Sequence, residues 1–265
     1  MAEDREHPPL IPDQRREQLL RHLRRDGVLS VQQITRLLDV SHMTVRRDIA
    51  ELERKGLVFS VPGGVRIAST ITSEPGFLHK SEVEQPQKRA MAREAARLVQ
   101  EGMTVYLDAG TTLLAMAPEL ARMTSLTVVT NDFTTIGQLM SAPHHLDLVH
   151  VGGLVDVSNR SSVGRLAANT LRDLALDIAF ISTSSWDLLR GVTTPSESKV
   201  EVKQAAMASA AHSVLVAGSS KYGTFGRYRV AALSAHDTIV TDADLTDAAA
   251  EGIRTGGSSL VLARS

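Results

Sequence analysis

The chain has 265 residues, 43% of them hydrophobic and 22% charged, with a net charge of −1 and no cysteine. That length is enough for roughly two domains with real cores, and the missing cysteines exclude disulfides, thiolate zinc sites and cysteine nucleophiles. No apolar run approaches the roughly 18 residues of a membrane span, and the start, MAEDREHPPLIP, lacks the apolar core of a secretory signal, so a cytoplasmic protein is expected.

The near-neutral total hides an uneven distribution. Residues 13–68 carry eleven basic and seven acidic side chains, a net +4, whereas 69–265 carry seventeen basic and twenty acidic. By itself that excess fits a solvated helical surface as well as a nucleic-acid footprint. Residues 69–85, beginning STITSEPGF, lack helical periodicity and read as a linker. The expected domains are thus 13–68 and 86–265.

In the first block Leu19, Leu20 and Leu23 share a helical face, and Gly27 ends the segment. Ser30 with Gln33 reads as a reciprocal cap for a second helix whose apolar face is Val31, Ile34, Leu37 and Leu38. Asp39 and Val40 turn the chain, and Ser41 caps a third helix with Val45, Ile49 and Leu52 inward and Gly56 at its end. In LVFSVPGGVRI, residues 57–67, two apolar runs flank Pro62-Gly63-Gly64, a hairpin signal. Three short helices and a hairpin make a winged helix-turn-helix.

The third helix then turns His42, Met43, Arg46 and Arg47 outward, with Ser41 and Thr44 at its start. Such helices present their N-terminal part to major-groove base edges, where arginine binds guanine bidentately. Candidate DNA-binding residues are therefore Ser41, His42, Met43, Thr44, Arg46 and Arg47; Met43 and Thr44 would otherwise pack or cap. For most of Arg15, Arg16, Arg21, Arg24 and Arg25 a solvated face is the better account. The stretch SVQQITRLLDVSHMTVRRDIAELERKGLV, residues 30–58, resembles the helix-turn-helix signature of DeoR-family transcriptional regulators, through Ser41–Asp48 and the Glu-x-x-Gly-Leu ending. Pro62 stands where that family's wing usually has histidine.

The second block opens with a helix over 86–102. Strand-like runs follow at Thr104–Leu107, Leu126–Val129, Leu148–Val151, Ile178–Ile181 and Val214–Ala217, alternating with helical stretches. Each stops at small or hydroxyl-bearing residues, as α/β sheets do where ligands bind outside the strands' carboxyl ends. The expected fold class is α/β: an N-terminal winged helix-turn-helix followed by a larger, mostly parallel α/β sensor domain.

YLDAGTT, VVTND, VGG, Gly164, Asp177–Phe180, Glu197–Lys203 and SSKYG extend the DeoR-family resemblance to its sensor domain, over nearly the whole chain from about residue 13. The resemblance implies a fold similar to ribose-5-phosphate isomerase and a phosphorylated sugar, or a related metabolite, as effector. It implies that Gly110, Thr111 and Thr112 hold the phosphate, while Asp108, Thr130, Asn131, Gly152, Gly153, Glu197 and Lys221 line the rest. Two departures fall at the pocket edge: Gly218 in place of aspartate before Ser-Ser-Lys, and Ser182–Ser185 in place of Gly-Ala-x-Gly. For Trp186, the only tryptophan, core packing is preferred over ligand stacking.

The rival reading is a sugar-phosphate isomerase fused to a DNA-binding module, with Glu197 or Asp108 as base and Lys203 or Lys221 as electrophile. No hydrolase elbow, P-loop or dinucleotide fingerprint is present. The adjacent His144 and His145 suit a polar loop better than a metal, and no cofactor is expected. A module with net +4 is a weak anchor alone, so a homo-oligomer, dimer or tetramer, on paired operator half-sites is expected. The whole reads as a non-catalytic regulator, a repressor of a sugar operon, responding to a phosphorylated sugar.

Overall fold

The structure, a computed structural model, describes residues 10–142 and 146–265. The first nine residues of the acidic start and the His144–His145 pair lie outside the described residues. The chain divides into two compact units, one ending at Ser69 and the other running from Thr70 to Ser265.

Helices α1 (Pro12–Asp26), α2 (Val31–Leu38) and α3 (His42–Arg54) build the first unit. Proline suits the start of α1, where its missing N–H has no helical partner. The Ser30 hydroxyl accepts from Gln33 N at 3.2 Å, and the Gln33 side chain accepts from Ser30 N at 2.8 Å. Asp39, left-handed at φ +50°, turns the chain toward α3. Leu19, Leu23, Ile34, Val45, Ile49, Leu52, Val58 and Val65 form one core. Leu37, expected on the inner face of α2, is instead exposed. It sits about 100° around the helix from Leu38, which with Ile34 takes the inward positions.

Strands β2 (Val58–Val61) and β3 (Gly64–Ile67) form the expected hairpin, with Val61 opposite Gly64. Pro62 and Gly63 make the turn; Gly63 at φ +77° supplies the positive φ that a type II turn requires at its third residue. A further strand, β1 (Val28–Ser30), was not legible in the sequence and pairs antiparallel with β3. The approach is close: a Cβ on Gly64 would lie 2.3 Å from the Leu29 carbonyl oxygen. Gly64→Ala is expected to force β1 from β3 and cost about 1–3 kcal/mol. It should lower the thermal melting of this unit; unchanged melting would contradict that.

Seven strands of the second unit form one parallel sheet. Their spatial order is Ser259–Ala263, Thr238–Asp242, Ala210–Val216, Leu176–Ile181, Thr104–Leu107, Thr127–Thr130, Asp147–His150. The chain enters at Thr104–Leu107, adds two strands on one side, then crosses to Leu176–Ile181 on the other. That reversal is the switch point at which open α/β sheets form a crevice. Met91, Leu113, Leu120 and Phe180 belong to one buried cluster of this unit, and Tyr106, Val129, Leu171 and Val202 to another.

Two expectations are corrected here. The first helix of this unit spans Gln85–Ala96 and ends before Gly102, its exit continuing as a turn in which Leu98 N donates to Ala95 O. Residues 69–85 are no loose linker: they contain the helix Phe77–Glu82, and from Thr70 onward they belong to the second unit. Phe77 is buried beneath the Arg160 guanidinium, 4.4 Å from its ring centroid, and Phe77 N donates to Ser158 O at 2.9 Å.

Candidate functional site

The outer face of α3 is as the spacing predicts. Val45, Asp48, Ile49 and Leu52 are buried, while His42, Met43, Arg46 and Arg47 are exposed. The Ser41 hydroxyl accepts from Thr44 N at 3.2 Å and lies 3.0 Å from the Thr44 hydroxyl, so both residues form the helix cap. Buried Asp48 accepts from Arg15 Nη2 at 3.1 Å, and its Oδ1 lies 3.3 Å from Arg16 Nε. Arg15 and Arg16, two of the five arginines for most of which a solvated face was expected, instead tie α1 to α3.

In the second unit a cavity of about 310 Å³ opens at the switch point. Asp108 and Ser182, which follow the two strands flanking the switch, line it. Asp108 Oδ2 accepts from Ser182 N at 3.0 Å, lies 2.9 Å from Ser182 Oγ, and pairs with buried Lys203. Lys203 Nζ also donates to Ser182 O at 2.9 Å. Gly110 packs closely, since a Cβ there would meet Ser182 Oγ at 3.0 Å and push that side chain aside. Thr111 and Thr112 open a one-turn helix whose first intrahelical bond runs from Leu114 N to Gly110 O. The Asn131 side chain accepts from Ala109 N at 2.9 Å and donates to Ser162 O at 2.9 Å, which clamps the turn.

Lys221 also lines the cavity and donates to Thr183 O at 2.8 Å. Burial, with Lys80 and Lys88 nearby, lowers its ammonium to about 8. Glu74 lies 2.7 Å from Lys199 Nζ and 3.5 Å from Lys80 Nζ. Burial would raise the Glu74 carboxyl, but Lys199, then Lys80 and Lys203, hold it at about 2.

Of the sequence-derived candidates, the fold brings Asp108, Gly110, Thr111, Thr112, Asn131 and Lys221 around this cavity. Thr130, Gly152, Gly153 and Glu197 are not among its lining residues. Thr130 is fully buried, with its hydroxyl donating to Leu107 O at 2.7 Å. Gly152 and Gly153 follow the edge strand Asp147–His150, and a Cβ on Gly153 would meet Val163 O at 3.0 Å, so its smallness serves packing. Glu197 is exposed on a short turn. Trp186 is buried, donates to Gly218 O at 3.1 Å and meets Tyr222 edge-on, as core packing requires. Glu74, Lys80 and Lys199 went unrecognised as site residues. The first two fall in the supposed linker, and the only signal there was a Glu and a Lys flanking Phe77 and Leu78.

The family model for the DeoR C-terminal sensor domain matches residues 83–243, and that for the DeoR-like helix-turn-helix domain matches 15–71. An uncharacterised HTH-type transcriptional regulator of Haemophilus influenzae is 44% identical over 90% of this chain and 92% of its own. The regulator YgbI of Escherichia coli K12, also uncharacterised, is 42% identical over 96% and 99%. A putative aga operon transcriptional repressor of E. coli O157:H7 is 30% identical over 94% and 93%. Ribose 5-phosphate isomerase A of Methanocaldococcus jannaschii aligns over 51% of this chain and 53% of its own, at 18% identity and a TM-score of 0.38, too slight a likeness to carry an argument. With both halves of the chain matched, the protein belongs to the DeoR family of helix-turn-helix transcriptional regulators.

Proposed function

We propose that this regulator represses an operon of sugar metabolism, that it binds paired operator half-sites as a dimer or tetramer, and that a phosphorylated sugar in the cavity of the second unit modulates it. The observation that carries the effector reading is the cavity at the switch point, where a Gly-Thr-Thr turn and the ammonium of Lys221 line one space. Backbone N–H groups at such a turn, together with a buried ammonium, favour a phosphate. Asp108 and Asn131 line the space beside that turn, and similarity to a lactose phosphotransferase system repressor of Lactococcus lactis, 27% identical, supports a sugar operon. Thermal-shift titration with sugar phosphates and their unphosphorylated forms tests it: stabilisation by the phosphorylated set alone is expected. Stabilisation by neither would refute the reading.

We take the cavity to be non-catalytic. Asp108, the only one of the two proposed bases that lines it, is 3% exposed, has Oδ2 engaged by Lys203 and by Ser182 N, and has Oδ1 3.5 Å from the buried Tyr106 hydroxyl. A general base needs an oxygen within reach of the substrate proton. Turnover of any stabilising sugar phosphate would overturn this part.

Lys221 gives the binding a pH dependence. Lys80, Lys88, Glu74 and Glu84 are the charges that act on it. A phosphate beside it favours the ammonium, which raises its pKa in the complex. Affinity should therefore be full below about 8 and decline as pH rises past it. The phosphate is already a dianion there, its second pKa being about 6. Lys221→Arg should flatten the decline in calorimetric titrations between neutral and alkaline pH; an unchanged slope would place Lys221 outside the phosphate's reach.

A further inference from the structure

Glu74 is held by side chains that the phosphate reading does not use. Its side chain is 10% exposed, with Oε2 against Lys199 and Lys80 and Oε1 accepting from the Thr194 hydroxyl at 3.3 Å. Lys199 also approaches Asp156 at 3.6 Å, and Lys80 donates to Asn159. Lys88 fixes the turn that carries Lys80 by donating to Lys80 O and to Val83 O. Glu74, Lys80 and Lys199 line the same cavity as Thr111 and Lys221. The lysine pair is thus a preformed carboxylate site, and the carboxylate in it comes from the chain itself.

We propose that Lys80 and Lys199 form a second anion subsite, that Glu74 serves as its internal carboxylate, and that the effector carries a carboxylate as well as a phosphate: it is a phosphorylated sugar acid. The inference rests on the reading of this cavity as a sugar-phosphate site. The ligand's carboxylate takes over the two lysines, and Glu74 is displaced toward solvent. A neutral aldehyde or hydroxyl at that end of the ligand makes no such exchange, because it leaves the lysines with Glu74 and gains no charge-assisted bond. Glu74 stands in the segment that continues, a few residues back, into Ser69, the last residue of the first unit. Its displacement therefore acts on the stretch of chain that joins the two units.

The test is a calorimetric titration of the full chain with aldose phosphates of four, five and six carbons, each paired with its aldonate phosphate. The aldonate of at least one pair is expected to bind about tenfold or more tightly than its aldose, as a charge-assisted contact warrants. Lys199→Gln should erase the preference, while Glu74→Gln, which removes the internal competitor, should tighten aldonate binding. Aldose phosphates that bind as well as the acids, or a preference that survives Lys199→Gln, would overturn the second subsite and leave the sugar-phosphate reading standing. Weaker aldonate binding by Glu74→Gln would overturn the displacement. Binding by neither set would overturn both.

Discussion

Replacing Arg46 and Arg47 together with alanine is expected to abolish sequence-specific DNA binding while the second unit keeps its melting temperature and its ligand. Both side chains stand exposed on the outer face of α3, with buried neighbours at 45, 48, 49 and 52. Their removal takes nothing from the core. A bidentate arginine–guanine contact contributes about 1–3 kcal/mol of discrimination. With two arginines in each copy of the proposed dimer, the loss should be about several hundredfold or more, and the dependence of affinity on salt should become shallower as phosphate contacts go. Fluorescence anisotropy on a fragment selected from a random pool measures both quantities. Unchanged affinity would mean that another face of the unit meets DNA.

Asp48→Ala is expected to unfold the DNA-binding unit, a different route to the same loss. Asp48 is 3% exposed and is held by two arginines of α1, one of them 11% exposed in its side chain. Removing one partner of a buried ion pair costs about 3–5 kcal/mol, because the remaining charge is left uncompensated. A unit of this size has little more than that to spare. Circular dichroism should show loss of helix and an early transition for the first unit alone, which separates this variant from the Arg46/Arg47 pair. A native-like melt would show that the arginines find water instead.

The two variants divide the sequence signature Ser41–Asp48 by physical role. Ser41 and Thr44 cap, Val45 and Asp48 point inward, and Arg46 and Arg47 face out. The helical period made the inward apolar residues and the outward arginines legible. It gave no reason to place Asp48 inside, because an acidic residue on a buried face makes sense only once its partners on a distant helix, Arg15 and Arg16, are known.

The larger unit follows the same pattern. Short apolar runs ending at small or hydroxyl-bearing residues located five of the seven parallel strands among the described residues. Thr238–Asp242 and Ser259–Ala263 were not found: the first mixes threonine and aspartate with its apolar residues, and the second is a half-exposed edge strand without a clean alternation. The cavity residues that directly follow strands were legible because sheet topology alone carries them to one edge. Glu74 and Lys199 meet across 125 positions, and no local period encodes such a pairing. Thr130, Gly152 and Gly153 follow the same strand-end logic and yet do not line the cavity. Their strands lie on one side of the switch; the Thr130 hydroxyl is taken up by Leu107 O, Gly153 packs against Val163 O, and Gly152 is exposed with open space around it.

Gly218 acquires a structural account as well. Its carbonyl accepts from Trp186, and a Cβ there would meet Asp242 Oδ2 at 3.4 Å and Glu84 Oε2 at 3.7 Å. An aspartate at this position would set a third carboxylate beside two others. The Ser219 N–H and hydroxyl already satisfy Asp242.

The central claim is that one chain reads DNA with α3 and a phosphorylated metabolite with the switch-point cavity, and that the second event changes the first. A ligand shifts such an equilibrium only by its differential affinity for the DNA-bound and released states. The decisive measurement is therefore operator affinity of the full chain by anisotropy, with and without a saturating phosphorylated ligand found by thermal shift. A change of about tenfold or more is predicted, and it should vanish in a Thr111→Val/Thr112→Val variant that still binds DNA. A ligand that saturates the cavity and leaves operator affinity unaltered would contradict the account.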